Sequence, residues 1–187
     1  LVDVKKALEE SIKEIEETMK EEGKDGDPPM DITTSPKGVT INIKGDYAFP
    51  SGKAEMKPEL KMLLTDEITP KIIASPFIIE VAGHSDSDPM PKKWQKNYAS
   101  NWELSAARGA AVVRELISQK VPAKRLVAAG FGDWSPRGLD TLFMDPTKLD
   151  WETVLKYNST LEEKRANRRI QVTFLKPSHH SAKEYAD

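Results

Sequence analysis

The sequence predicts an α/β fold, in which βαβ units build one sheet and a separate helix precedes it. The main observation is that short apolar runs of strand length alternate with longer segments of helical periodicity between Gly38 and Phe174. Such alternation favours right-handed βαβ crossovers and a layered sheet. Hydrophobic residues make up 38% of the chain and charged residues 31%, which is typical of a globular domain with a highly charged surface.

The N-terminal segment, residues 1–22, is predicted to be an amphipathic helix. Its apolar residues recur every three or four positions: Val4, Leu8, Ile12, Ile15 and Met19. Because a lone helix cannot bury such a stripe, we expect it to pack on the domain, to pair with a second copy, or to continue a longer helix upstream. Residues 23–37 are rich in Gly, Pro and Asp and are predicted to form a flexible linker.

The domain itself is predicted to span residues 38–176, followed by a tail at 177–187. Strands are expected at 39–43, 77–82, 126–129 and 169–174, with one helix from Pro58 and another from the Ser100–Glu103 capping box to Lys120. The buried face of the second helix is predicted to comprise Ala106, Ala110, Val113 and Ile117. Residues 134–157 form an insertion in which Trp151, Val154 and Leu155 indicate an added helix.

Composition and charge exclude several functional classes. The formal net charge of −2 and the pI near 6.0 argue against a nucleic-acid partner, because nucleic-acid-binding domains usually have a pI above about 9. No apolar run approaches the roughly 18 residues of a membrane span, and no signal-peptide pattern is visible. The absence of cysteine excludes disulfides and thiolate metal sites. Because the chain begins at Leu1, we expect it to be a fragment of a longer protein.

Polar side chains gather where the second predicted strand meets the following helix. Asp86 follows the strand, and Asn101, Ser105 and Arg108 share one helix face because they are spaced four and three residues apart. At 100° per residue, Arg108 lies about 200° from Ala106, so we predict that it points away from the buried face. An ammonium and a carboxylate on one carbon would satisfy Asp86 and Arg108. The alternative interpretation is a helix cap and a surface ion pair.

Other candidate sites are weaker. Arg165, Arg168 and Arg169 lack interleaved aromatic residues, so a structural role at the last strand is favoured. His84 with Asp86, and His179 with His180, do not complete the three or four ligands of a metal site, and we expect His84 to hydrogen-bond within its own loop. Trp94 and Tyr98 are expected to cover a loop rather than to stack on sugars. No recognisable pair of catalytic carboxylates and no nucleophile motif is present.

Several ordered motifs together resemble a known family. They are Gly83-His84-Ser85-Asp86, Ser100-Asn101-Trp102-Glu103-Leu104-Ser105-Ala106-Ala107-Arg108, Arg125-Leu126, Gly130-Phe131-Gly132 and Asn167-Arg168-Arg169-Ile170. This set is similar to the OmpA C-terminal-like peptidoglycan-binding family. The Ser-Asn-Trp-Glu-Leu-Ser variant and residues 49–59 resemble its MotB-type branch, the stator subunit of the flagellar motor. The resemblance covers about residues 38–175.

The resemblance implies a fold and a site. The fold is an OmpA-like βαβαβαβ two-layer sandwich, with helices on one face of a mixed four-stranded sheet. The implied activity is non-covalent binding of peptidoglycan through diaminopimelate, with no catalysis, cofactor or metal. The ligand contacts match Asp86, Arg108 and Asn101, and Ser85, Ser105 and Arg168 complete the predicted site. Pro50 replaces a common aspartate, and Lys164 replaces a common arginine.

The resemblance also implies partners and a compartment. We expect a periplasmic fragment of an inner-membrane-anchored protein that anchors a flagellar stator unit to the cell wall. The expected partners are peptidoglycan, a second copy in a homodimer, and the ion-channel subunit reached through a transmembrane segment absent from this sequence. The alternatives are another OmpA- or Pal-type envelope tether and, less favoured, a cell-wall hydrolase.

Overall fold

The structure of the chain, a computed structural model, describes residues 1–140 and 145–177. Its helices are α1 (Val2–Glu21), α2 (Gly45–Ala48), α3 (Pro58–Leu63), α4 (Thr69–Ile73), α5 (Asn101–Ser118), α6 (Trp151–Lys156) and α7 (Leu161–Asn167). Its strands are β1 (Met30–Ser35), β2 (Gly38–Lys44), β3 (Ile79–His84), β4 (Leu126–Gly130) and β5 (Arg169–Leu175). A π-helical turn, Leu64–Ile68, joins α3 to α4. Within these residues, no helix combines the length and apolar character that a membrane crossing needs.

The strands form one mixed sheet in the order β1-β2-β5-β3-β4. Only β3 and β4 run parallel, and every other neighbouring pair is antiparallel. Alternate residues of β2, β3 and β5 turn one apolar face toward α1, α3, α4 and α5, where the main hydrophobic core lies. The predicted α/β class, with helices packed on one face of a mixed sheet, is therefore confirmed.

The sheet has five strands rather than the predicted four, because part of the predicted linker is itself a strand. β1 pairs with β2 from Met30 opposite Ile43 to Ser35 opposite Gly38. Met30 is fully buried, and the β-branched run from Ile32 to Thr34 suits an extended backbone. A Cβ on Gly38 would lie 2.0 Å from the Phe174 carbonyl oxygen, so this position accepts only glycine without displacing β5.

The N-terminal helix packs on the domain, which is the first of the three alternatives. Leu8 is completely buried, and Val4, Ile12 and Ile15 lie against the same core as the sheet. The acidic positions face outward, which gives α1 the amphipathic pattern of a surface helix. Helix α1 is therefore part of the folded domain in this structure.

The predicted buried face of α5 is only partly correct, since Val113 packs against the core. Ala106 and Ile117 are exposed, and the buried residues are Leu104, Ser105, Arg108, Gly109, Ala111, Val112 and Leu116. The reason is a close crossing over β3 and β4: a Cβ on Gly83 would lie 2.1 Å from the Ser105 carbonyl oxygen, and one on Gly130 only 2.4 Å from the Ala106 nitrogen. Small residues make this contact, so the spacing of the alanines does not mark the buried side.

The insertion contains the predicted added helix. Helix α6 begins after Asp150, whose side chain accepts a hydrogen bond from the Thr153 N–H, and it buries Val154. Residues 141–144 of the insertion lie outside the described residues, as do 178–187 of the predicted tail, including His179 and His180.

Candidate functional site

Asp86 lies just beyond β3, a strand flanked by β5 and β4. The residue is 6% exposed. One carboxylate oxygen accepts a hydrogen bond from the Asp88 N–H at 2.9 Å, and the other pairs with the guanidinium of Arg168. The Ser85 N–H donates to the Gly132 carbonyl at 2.8 Å, which ties the loop to the segment after β4. The strand–loop junction therefore holds an almost buried carboxylate in a fixed position.

Arg108 points along the buried side of α5, not away from it as predicted. Its Nε donates to the Lys53 carbonyl at 2.8 Å and its Nη2 to the Pro50 carbonyl at 3.0 Å. The guanidinium carbon lies 5.1 Å from the centre of the Phe49 ring, within the range of a cation–π contact. Burial lowers the pKa of Arg108 to about 10, so the side chain remains cationic at neutral pH. A positive charge is thus fixed beneath the loop that joins α2 to α3.

Asp86 and Arg108 line the same cavity, which has a volume of about 260 Å³. We call it the polar cavity. Its lining includes five of the six predicted site residues: Ser85, Asp86, Asn101, Arg108 and Arg168. The structure therefore brings together an acid and a base that are 22 positions apart in the sequence, with open space between the elements that carry them.

Ser105 is the exception among the predicted site residues. Its hydroxyl accepts a hydrogen bond from the Gly132 N–H at 3.0 Å and donates to the Trp102 carbonyl at 3.1 Å. The residue is 2% exposed and does not line the polar cavity. Ser105 lies on the same buried side of α5 as Arg108 but faces β3 and β4, so its role is to join the helix to the sheet.

Arg168 bridges two carboxylates at the edge of the polar cavity. It pairs with Asp86 and makes two hydrogen bonds of 3.2 Å to Asp46. Partial burial alone would lower the pKa of Arg168, but the hydrogen bonds to Asp46 and Asp86 outweigh it and raise that pKa. In this state, Arg168 neutralises the charge that Asp86 would offer to a ligand.

The loop between Asp86 and α5 is held from both sides. The Asn101 side-chain amide donates to the Asp88 carbonyl at 2.9 Å, and the Lys164 ammonium donates to the Asp88 carboxylate at 2.8 Å. Lys164 therefore helps to hold the loop, although it stands in place of a common arginine.

Asp133, which follows Gly132, has a raised pKa because it is partly buried and because the charge of Asp86 is near.

Several other residues that line the polar cavity were not predicted as contacts, among them Asp46, Phe49 and Trp94. Asp46 belongs to the short helix α2, whose four residues show no periodicity. Trp94 lies so close to Gly52 that a Cβ there would approach its ring to 2.4 Å, which agrees with the expectation that it covers a loop. The contact of Phe49 with Arg108 could not be predicted, because the fold brings together two residues that are far apart in the sequence.

The family profile that matches the chain is that of the OmpA family, over residues 48–141, which is half of the sequence. The chain belongs to the OmpA family. The matched segment contains Asp86, Asn101 and Arg108 and ends before Arg168. In this OmpA-family chain, Asp86 and Arg108 therefore both lie within the segment that matches the family profile.

Two curated relatives are from Bacillus subtilis. The uncharacterized protein YtxE is 30% identical over 141 residues, which are 75% of this chain and 49% of that protein. Motility protein B is 28% identical over 147 residues, covering 78% and 48% respectively. The chain therefore spans about half the length of these relatives.

A solved structure supports the assignment to the OmpA fold. The cell wall anchor of the T6SS from Pseudomonas aeruginosa matches with a TM-score of 0.60 and 26% identity. The match covers 79% of this chain and 89% of that one. The similarity to this OmpA-family chain thus extends over most of both chains.

Behind the site of this OmpA-family domain, the second face of the sheet carries a buried polar network. His84 bonds to Gln171 on β5 at 2.7 Å and stacks on Phe131, with ring centroids 5.1 Å apart. The expected hydrogen bond within the loop is therefore wrong, because strand pairing turns His84 toward β5. Arg169 is buried and donates to the Ser135 carbonyl and to Asp140, which is the structural role expected for this arginine. Within residues 1–140 and 145–177, no group of three or more His, Asp or Glu side chains has a metal-binding arrangement.

The buried His84 predicts a pH dependence of stability. Burial, reinforced by the charge of Arg169, lowers the pKa of His84 well below its usual value of 6.5. The unfolded chain therefore binds a proton near pH 6.5 that the folded chain does not, so this contribution to stability is present above pH 6.5 and is lost as the pH falls. We expect His84 to lower the free energy of unfolding by up to about 2 kcal/mol between pH 7.5 and 5.0.

Urea unfolding of the wild type and of His84→Gln at several pH values between 5.0 and 7.5 measures this contribution. The variant is expected to show a flatter dependence on pH, whatever its absolute stability. Parallel curves for the two proteins would contradict the assignment of a neutral buried His84.

Proposed function

We propose that this chain binds peptidoglycan without cleaving it, and that the polar cavity receives the free amino-acid end of diaminopimelate in the peptide stem. The observation that supports this most directly is the placement of Asp86 and Arg108 on the walls of one cavity. An ammonium on the carboxylate and a carboxylate on the guanidinium would satisfy both charges. Charge-assisted hydrogen bonds of this kind are short and strong.

The present contacts indicate how the ligand would enter. In the structure, Arg168 forms ion pairs with both Asp86 and Asp46. The ligand ammonium would replace Arg168 on Asp86, while Arg168 stays charge-paired with Asp46. Of the five N–H donors of the Arg108 guanidinium, Nε and one donor of Nη2 are bonded to the loop. Among the residues that the structure describes, none bonds to the Nη1 group, which is left for the ligand carboxylate.

We further propose that the chain is the wall-binding part of a flagellar stator subunit. The similarity to motility protein B over more than three quarters of the chain supports this assignment. In that role the domain would lie in the periplasm, act as a homodimer, and connect through an upstream membrane anchor to the ion-channel subunit. The wall would then provide a fixed point against which the channel exerts force.

A second candidate is an anchor for a different envelope assembly. The similarity to the T6SS cell wall anchor is 26% in sequence and extends over most of both chains, which favours this alternative at the level of the domain. Both candidates use the same wall contact. They differ in the assembly that the domain would hold.

Incubation with fluorescently labelled, purified sacculi tests the proposed binding and the hydrolase alternative together. We expect the protein to sediment with the sacculi and to release no soluble label. Release of labelled fragments would show a hydrolase. Protein that remains in the supernatant, with intact sacculi in the pellet, would contradict wall binding.

A further inference from the structure

A second, larger cavity adjoins the polar cavity. It has a volume of about 850 Å³ and lies between the loop before β1, the end of β2 and helix α7. We call it the α7 groove. Gly45, Asp46 and Arg168 line both cavities. The two spaces therefore meet at the Asp46–Arg168 ion pair, the contact that borders the proposed diaminopimelate site.

The walls of the α7 groove combine apolar and charged side chains. The apolar part comprises Pro28, Met30, Ile43, Tyr47, Leu161 and Ala166. Arg137 is paired with Asp31, and Arg169 with Asp140. Asp27 and Glu162 add two acids at the rim. The groove thus offers apolar surface to small side chains, together with both signs of charge.

Two exposed basic residues line the groove, Lys44 and Arg165, and Arg165 is the one closer in sequence to Arg168. The Arg165 side chain makes no hydrogen bond or ion pair with any residue that the structure describes. Arg165 lies in α7, three positions before Arg168, which directly follows the helix, and both residues line the groove. A peptide that leaves the polar cavity past Arg168 enters the groove that Arg165 lines.

We propose that the α7 groove binds the part of the same peptide stem that adjoins the diaminopimelate, with a free carboxylate of the stem on Arg165. The inference rests on the proposed function, because the diaminopimelate must occupy the polar cavity for its neighbours to reach the groove. A stem peptide carries alanine side chains and the free carboxylate of its glutamate, which match the apolar wall and the unpaired guanidinium. A volume of this size is typical of sites that hold a ligand of several hundred daltons.

Calorimetric titration with two ligands tests the inference. One ligand is free meso-diaminopimelate, and the other is the tripeptide L-alanyl-γ-D-glutamyl-meso-diaminopimelate. We expect the wild type to bind the tripeptide more tightly. Arg165→Gln should weaken tripeptide binding about two- to fivefold, the range for one ion pair at an exposed site, and should leave binding of free diaminopimelate unchanged.

Arg114→Gln is the matched control, because Arg114 is an exposed arginine on α5 outside both cavities. It should leave both affinities unchanged. If Arg165→Gln binds the tripeptide as the wild type does, or loses as much affinity as Arg114→Gln, the groove inference is overturned while the polar cavity stands. If the wild type binds neither ligand, the proposed function fails and the inference fails with it.

Discussion

Replacing Asp86 with asparagine is expected to weaken binding to sacculi by about ten- to hundredfold. The substitution keeps the size of the side chain and an oxygen for the Asp88 N–H, but it removes the negative charge that would hold the ligand ammonium. A charge-assisted hydrogen bond contributes about 1.5–3 kcal/mol, and each 1.4 kcal/mol corresponds to tenfold in affinity. Arg168 keeps Asp46 as a partner in the variant, so the loss should come from the ligand contact.

Co-sedimentation over a range of sacculus concentrations measures this loss. Asp66→Asn is the matched control, because it makes the same chemical change at an exposed position outside the polar cavity. Circular dichroism and the midpoint of thermal unfolding verify that both variants are folded. Wild-type binding by a folded Asp86→Asn protein would remove Asp86 from the site.

Replacing Leu8 with alanine is expected to lower the free energy of unfolding by about 2–5 kcal/mol. Leu8 is completely buried between α1 and the sheet, and truncation of such a side chain loses both its transfer free energy and the packing around the cavity that remains. An effect of this size on an N-terminal helix would show that α1 belongs to the cooperative unit in solution.

Urea unfolding monitored by tryptophan fluorescence gives the difference directly. Val2→Ala is the control, because Val2 lies on the same helix with 82% of its surface exposed and should change stability by no more than about 0.5 kcal/mol. Equal, small effects of the two substitutions would mean that α1 is detached from the domain in solution.

The order of the main elements could be predicted from the sequence because each carries a local signal. Alternation at Val39, Ile41 and Ile43 marks β2, and the capping box at Ser100 marks the start of α5. The added helix α6 is confirmed for the same reason, since its apolar positions follow helical spacing. Local periodicity thus predicts the type of an element well.

Elements whose structure depends on distant partners could not be predicted. β1 is polar at most positions and lies beside two prolines, so its extended form depends on pairing with β2. The buried face of α5 depends on the close approach to Gly83 and Gly130, and the alanines on several sides of the helix conceal it. Because the buried face was misassigned, the predicted direction of the Arg108 side chain was wrong, although Arg108 was predicted as a site residue.

In the candidate site, too, residues with a local sequence signal could be predicted, and contacts between distant residues could not. Asp86, Asn101 and Arg108 could be proposed from short-range spacing and the family motif, and the structure places all three around one cavity. The role of Arg168 as the present partner of Asp86 could not be predicted, because that ion pair joins residues 82 positions apart. The same is true of Asp46, which is 122 positions from Arg168.

Recognition of both charges of one amino-acid end is tested most directly by changing a single residue of the ligand. The dissociation constants of two stem tripeptides would be measured by calorimetry, one ending in meso-diaminopimelate and the other in L-lysine. Lysine keeps the side-chain ammonium for Asp86 but lacks the carboxylate that would face Arg108. We predict that the lysine peptide binds at least about tenfold more weakly; equal dissociation constants would contradict a site that grips both charges.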